Sequence, residues 1–197
     1  MKLKPQQPLM LLSLLLLTAC SNPLIGGVAC TVGVTEGCYE TALAYDSNKE
    51  SKKALSYYQK AALKGHPEAQ FNLAVMYNTG EGTERDESKA ALWYEKAALQ
   101  GHANAQYNLG VMYDRGTGVL QSYDRAIEWY EKAASQGVAS ASNNLGFIYS
   151  RGFNGRRDLN KAKDYFKRAC SGGEKKACDN VTAMQREIDQ QARHHAI

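Results

Sequence analysis

Ala90 to Tyr113 reads AALWYEKAALQGHANAQYNLGVMY. Stepping back 36 residues gives ALSYYQKAALKGHPEAQFNLAVMY, Ala54 to Tyr77, identical at 15 of 24 positions. Stepping forward by the same interval gives AIEWYEKAASQGVASASNNLGFIY, Ala126 to Tyr149, and a further step opens AKDYFKRACSGGEKKACDNVTAM at Ala162. Self-similarity at a fixed period of this length marks a stacked repeat architecture, in which one unit cannot bury its apolar face alone.

Within the central unit, Ala90, Trp93, Tyr94, Ala97 and Ala98 recur at spacings of three and four, and Ala105, Leu109, Met112 and Tyr113 do so after a break. Each set predicts an amphipathic helix. The break is Gln100-Gly101-His102, where Gly101 can take the left-handed conformation that ends a helix; Gly65, Gly137 and Gly173 match it. Small alanines on both helices allow close approach, and Tyr57, Trp93, Trp129 and Tyr165 fill the space beside them, so the expected unit is an antiparallel helix pair. Each unit ends in a glycine-bearing loop, such as Tyr77-Asn78-Thr79-Gly80-Glu81-Gly82. The loop lacks the strand–loop–helix setting and Lys-Ser/Thr of a phosphate-binding loop, so it reads as a helix cap plus turn. Asp86, Asp124 and Asp158 stand where they can cap or complement the next helix N-terminus.

The composition, 44% hydrophobic and 22% charged, is that of an ordinary globular protein. Lys2 and Lys4 precede an apolar run from Leu9 to Leu17, and Leu17-Thr18-Ala19-Cys20 follows. Nine residues are too few to cross a hydrocarbon layer of about 30 Å as a helix, so residues 1–19 read as a signal peptide. Its ending resembles the lipobox of bacterial lipoproteins, which implies lipidation of Cys20 after cleavage. Ser21 in the next position resembles the sorting signal for the outer membrane of Gram-negative bacteria. Loss of Lys2 and Lys4 lowers the formal net charge of +4 by two. With no basic stripe in view, nucleic acid is excluded as a partner.

Five cysteines leave one unpaired, and lipidation of Cys20 resolves the odd count. Cys30 and Cys38 are eight apart, as are Cys170 and Cys178. In register, Cys170 corresponds to Ala134, Ala98 and Ala62, and Cys178 to Ser142, Gln106 and Gln70. The first pair is four residues out of step. The loop between Tyr45 and Ala54 is four residues shorter than those after Tyr77, Tyr113 and Tyr149, which restores the match. Two disulfides, each closing a helix hairpin, are expected in an oxidising compartment. A metal site competes for these cysteines but lacks the histidine or CxxC partners it needs.

The pattern AxxWYxKAAxQGxAxAQxNLGxMYxxGxG resembles the Sel1-like repeat, a relative of the tetratricopeptide repeat, over residues 30 to 178. The resemblance implies an all-α protein, an α/α superhelical solenoid of stacked helix pairs. The expected organisation is a lipidated N-terminus and linker at 20–29, a solenoid of four to five pairs at 30–178 with a degenerate first unit, and a capping helix and tail at 179–197. In that tail Val181, Met184 and Ile188 form a stripe facing the stack, Glu187 points outward, and His194 and His195 lie in a frayed end. The cysteine pairs resemble those of the cysteine-rich secreted members of the family. End repeats have one neighbour and fray first, so staples are most useful there.

No catalytic constellation emerges. The serine-lysine, G-x-S-x-G, H-E-x-x-H and K-T-G patterns are all missing. His66 and His102 occupy equivalent places after the inter-helix glycine and read as repeat-consensus surface residues. No cofactor, metal or catalytic residue is expected. Asn72, Asn108 and Asn144 recur at one helix position, with Phe71 and Tyr107 beside them. These amides and rings are candidates for holding an extended ligand, though the asparagines also suit a purely structural role. The expected function is non-catalytic binding of a protein or peptide in the cell envelope, on the concave face of the solenoid. The same resemblance also implies two alternatives: an immunity protein that neutralises an antibacterial phospholipase, and a β-lactamase-like or penicillin-binding activity.

Overall fold

The computed structural model describes residues 30, 35–153 and 155–195. The expected signal peptide at 1–19, Cys20 and the expected linker at 20–29 lie outside them. Among the described residues there are nine helices and no strand. They are α1 (Thr35–Ser47), α2 (Ser51–Leu63), α3 (Pro67–Thr79), α4 (Glu87–Leu99), α5 (Ala103–Arg115), α6 (Tyr123–Ser135), α7 (Ala139–Arg151), α8 (Leu159–Ser171) and α9 (Lys175–His195). The chain is an all-α superhelical repeat fold, and its packing runs from each helix to the next.

The turn between α4 and α5 shows how local chemistry sets the boundaries. Gly101 adopts φ 91°, its N–H donates to the Ala98 carbonyl, and the His102 N–H reaches back to the Ala97 carbonyl. These two bonds satisfy carbonyls that the end of α4 would otherwise leave open. His102 then caps the following helix, its Nδ1 accepting the Ala105 N–H at 3.2 Å. His66 does the same for α3 at 3.3 Å. Both imidazoles are largely covered rather than surface residues. His66 stacks on Tyr39 at 4.3 Å and His102 on Phe71 at 4.5 Å, because a ring held at the cap lies over the preceding odd-numbered helix. Asp86 and Asp158 cap α4 and α8, while Ser122 caps α6 and Asp124 sits in its first turn.

The loops are equally constrained. An added Cβ on Gly118 would lie 2.3 Å from the Glu87 carbonyl oxygen, and one on Gly82 would lie 2.6 Å from that of Ser51. Each loop is thus seated on the first residue of an even-numbered helix, which explains its glycine without a bound phosphate.

The interior is one long seam. Alanines at 54, 61, 90, 97, 126, 133, 162 and 169 are fully buried beside Tyr58, Tyr94, Tyr130 and Phe166. Two buried clusters meet where Tyr77 and Trp93 pack against both. The sequence pattern pairs α4 with α5 across Gly101, but the tighter packing joins α3 to α4, α5 to α6 and α7 to α8. The cause is visible at Gly110 of α5, where an added Cβ would lie 2.6 Å from Tyr130 Cδ1 on α6; Gly146 meets Phe166 at the same distance.

At the C-terminus, α9 begins at Lys175 and is helical through His195, so the tail is not frayed at His194. Val181 and Met184 pack on the core as expected. Glu187 does not point freely outward, because it pairs with Arg157 at 2.7 Å and so ties α9 to the loop before α8. No helix among the described residues is long and apolar enough to cross a membrane.

Candidate functional site

Both cysteine pairs are disulfides. Cys30–Cys38 and Cys170–Cys178 have Cα separations of 4.4 and 4.9 Å. Cys38 and Cys178 are each the fourth residue of their helix, α1 and α9, and that place is held by Gln70 in α3, Gln106 in α5 and Ser142 in α7. The glutamines perform a related task. Gln70 Nε2 donates to the Ala62 carbonyl at 3.1 Å, and Gln106 Nε2 to that of Ala98 at 3.0 Å. Ala62 and Ala98 stand where the other cysteine of each pair stands. Gln100 and Gln136 then donate to the Gln70 and Gln106 side-chain oxygens at 2.7 and 2.8 Å. Buried amides are satisfied by this chain of bonds. The turns before α3 and α5 are therefore held by hydrogen bonds where the end turns are held by sulfur.

The recurring asparagines lie on the odd-numbered helices, half-buried, at equivalent positions. Each meets the tyrosine at the centre of the preceding even-numbered helix. Burial raises the Tyr94 hydroxyl above its ordinary value, and the nearby Asn108 amide offsets part of the rise. Asn72 and Asn144 act likewise on Tyr58 and Tyr130, where burial dominates more strongly and a neighbouring carboxylate adds to it. The amides thus lie beside the tyrosine hydroxyls while remaining on one face. Phe71 and Tyr107 are half-buried beside them, with ring centroids 5.8 Å from Tyr94 and 5.9 Å from Tyr130. Val75, Val111 and Phe147 extend the same face one turn further along α3, α5 and α7.

Two of the three tyrosines donate a hydrogen bond to a carboxylate. Tyr58 Oη donates to Asp46 Oδ2 at 3.2 Å, and Tyr130 Oη to Asp114 Oδ2 at 3.3 Å. Asp114 is itself raised above the usual carboxylate range, because burial outweighs that hydrogen bond. At Tyr94 the corresponding residue is Asn78, and a cleft of about 200 Å3 opens there between α3 and α5. Asn78, Tyr94 and Asn108 line it, with Arg85, Glu87 and Arg115 at its edge. Of these, the sequence reading singled out only Asn108 as a ligand-binding candidate. The signal for the rest was the change from aspartate at 46 and 114 to asparagine at 78, which the repeat alignment displays but does not connect to Tyr94. Chemically, the cleft offers hydrogen-bond donors and cationic groups, which can read acceptors and negative charge.

The family model of the Sel1 repeat matches residues 36–66, 67–102, 103–138 and 139–174. Each matched segment thus holds one of the closely packed pairs, α1–α2 through α7–α8. A protective antigen present in uropathogenic Escherichia coli strains is 34% identical, with a TM-score of 0.77 over 81% of this chain and 35% of that one. A Sel1 repeat protein from Oxalobacter formigenes is 31% identical, with a TM-score of 0.67 over 73% of this chain and 59% of that one. The chain therefore spans less than two thirds of either. Cysteine rich protein B of Helicobacter pylori is 25% identical, with a TM-score of 0.51 over 68% of this chain and 94% of that one. Among curated proteins none matches.

Proposed function

The chain belongs to the Sel1 repeat family, and on that premise we propose that it is a non-catalytic, lipid-anchored binding module of the cell envelope that holds a protein or peptide on its odd-numbered helices. Sel1 repeats generally mediate protein–protein interaction. The observation that carries the reading is the periodic face, on which Phe71, Asn72 and Val75 of α3 recur as Tyr107, Asn108 and Val111 of α5 and as Asn143, Asn144 and Phe147 of α7. Side chains repeated at one register suit a ligand that runs along the stack, and a preordered surface keeps the entropy lost on binding low. The anchor rests on Cys20 and the segment before it, and two disulfides suit an oxidising compartment such as the periplasm. Attachment to the outer membrane, facing the periplasm, completes the proposal.

Two measurements test it. Labelled palmitate is incorporated by the full chain and not by Cys20→Ser. Site-specific photo-crosslinkers on the outward positions of α5 trap one envelope protein reproducibly, whereas crosslinkers on the opposite, even-numbered helices do not. Trapping of nothing by either face, with the protein folded and at native abundance, overturns the binding role.

A further inference from the structure

The cleft beside Tyr94 departs from the repeat in three ways that act together. First, the carboxylate of Asp46 or Asp114, which accepts the tyrosine O–H in the neighbouring repeats, is replaced by the neutral Asn78. Tyr94 lines the cleft, and no carboxylate stands beside it where Asp46 and Asp114 stand in the neighbouring repeats. Second, the space is kept open. One repeat further along, Phe153 stands where Thr117 stands and Tyr123 where Glu87 stands, and the two rings stack at 5.1 Å. Thr117 and Glu87 make no such plug. Third, the edge is cationic. Glu87 is held by Arg85, and Arg115, whose charge acts on the neighbouring Asp114, makes no ion pair within 4 Å among the described residues.

From this arrangement we infer that the cleft between α3 and α5 binds a carboxylate group of an acidic peptide segment, with Arg115 supplying charge and the Tyr94 hydroxyl and Asn78 amide supplying hydrogen bonds. The inference rests on the protein-binding role proposed above and specifies the ligand chemistry for one position on that face. A carboxylate is the acceptor that fits, because it receives several donors at once and bonds strongly to guanidinium. It also restores to Tyr94 the acceptor that Asp46 and Asp114 provide to Tyr58 and Tyr130. A cleft of about 200 Å3 admits an aspartate or glutamate side chain but not a large ring system.

The test uses the mature, disulfide-intact protein, isotope-labelled for NMR, with two probes. One is the peptide acetyl-Ala-Glu-Ala-Glu-Ala-Glu-Ala-amide, and the other is its counterpart with glutamine at each glutamate. The acidic peptide should saturably shift resonances of Asn78, Asn108 and Arg115 and bind at least tenfold more tightly than the glutamine peptide. Asn78→Asp supplies the residue that the neighbouring repeats already carry, so it folds, and it should abolish binding by satisfying Tyr94 internally and repelling the ligand. Arg115→Gln should weaken binding by at least fivefold. Equal binding of the two peptides, absence of shifts at the cleft, or unchanged affinity in both variants overturns the inference. If both variants still crosslink the envelope partner with wild-type yield, the carboxylate site falls while the binding role stands. If no partner is trapped and the acidic peptide still binds at the cleft, the binding role falls and the site stands.

Discussion

Gly110→Ala should destabilise the protein, against the helix propensities. Alanine in a helix interior is favoured over glycine by about 1 kcal/mol, and a buried methyl group adds about 0.8 kcal/mol of apolar transfer. On α5 these gains meet Tyr130. The new Cβ would lie 2.6 Å from Cδ1 and 2.7 Å from Cε1 of a ring that is fully buried and tethered through its hydroxyl to Asp114. Carbon atoms pack at about 3.5–4.0 Å, so the ring or the helix must move by about 1 Å. Overpacking of this kind costs about 1–3 kcal/mol, and more when a hydrogen bond is lost with it. With the overpacking cost at the upper end of that range, because the ring is fully buried, and about 1 kcal/mol for the lost hydrogen bond, the net loss is about 2 kcal/mol, or a fall in Tm of about 4–8 °C in a domain of this size. Thermal and urea unfolding of the disulfide-intact protein measures it. Tyr130→Phe cuts the tether to Asp114, so the double variant should lose less than the sum of the singles. Ala42 and Ala74 hold the corresponding positions of α1 and α3, while Gly146 of α7 meets Phe166 as closely, so the effect belongs to the α5–α6 and α7–α8 spacings and not to every repeat. If Gly110→Ala raises Tm, the close approach of α5 and α6 is not what keeps glycine at this position.

Three further outcomes are expected. Replacing Cys170 and Cys178 by serine removes a cross-link of sequence separation 8, for which loop-closure entropy gives about 2.5 kcal/mol. Hydrogen exchange should show the loss in α8 and α9 first, with α4 to α6 little changed. His102 is held below its ordinary value near 6.5 chiefly by burial, and only the neutral ring can accept the Ala105 N–H. Its contribution to stability is therefore full above that ordinary value and is lost as pH falls through the lowered one. An NMR titration with a midpoint above 6.5 contradicts this, and His102→Asn should keep the cap without the acid sensitivity. Finally, Ala98→Cys with Gln106→Cys places cysteines where the register puts Cys170 and Cys178. Under oxidising conditions they should form a third disulfide, detected by mass spectrometry after alkylation, and failure to form it refutes the equivalence of the glutamine and cysteine staples.

The repeat made much of the chain legible. Gly101 and Gly118 are predictable because only a few backbone conformations end a helix or let a loop touch another backbone, and glycine reaches them without penalty. The cysteine pairs were legible for a similar reason. A four-residue difference in one loop aligns Cys38 with Cys178, and the structure places both at the fourth position of their helices. Periodicity also set the buried face, since alanines and aromatics at three- and four-residue spacing can share one side of a helix and no other.

Other features depend on which helix lies against which. The pattern around Gly101 suggests pairing α4 with α5, while α5 packs more tightly on α6, because a missing Cβ at Gly110 matters only once Tyr130 is known to face it. His102 is a cap and a stacked ring rather than a surface residue, since the Phe71 that covers it comes from another helix. Glu187 finds Arg157 across thirty residues of chain. The cleft at Tyr94 is of the same kind. Its parts, Asn78, Arg115 and Thr117, are unremarkable in the sequence, and each lies in a place the repeat accounts for. Sequence by itself determined the unit, its ends and its staples, because backbone geometry and apolar periodicity are local. Tertiary structure decided which departures from the unit converge on one open space, because convergence is a property of distance between helices.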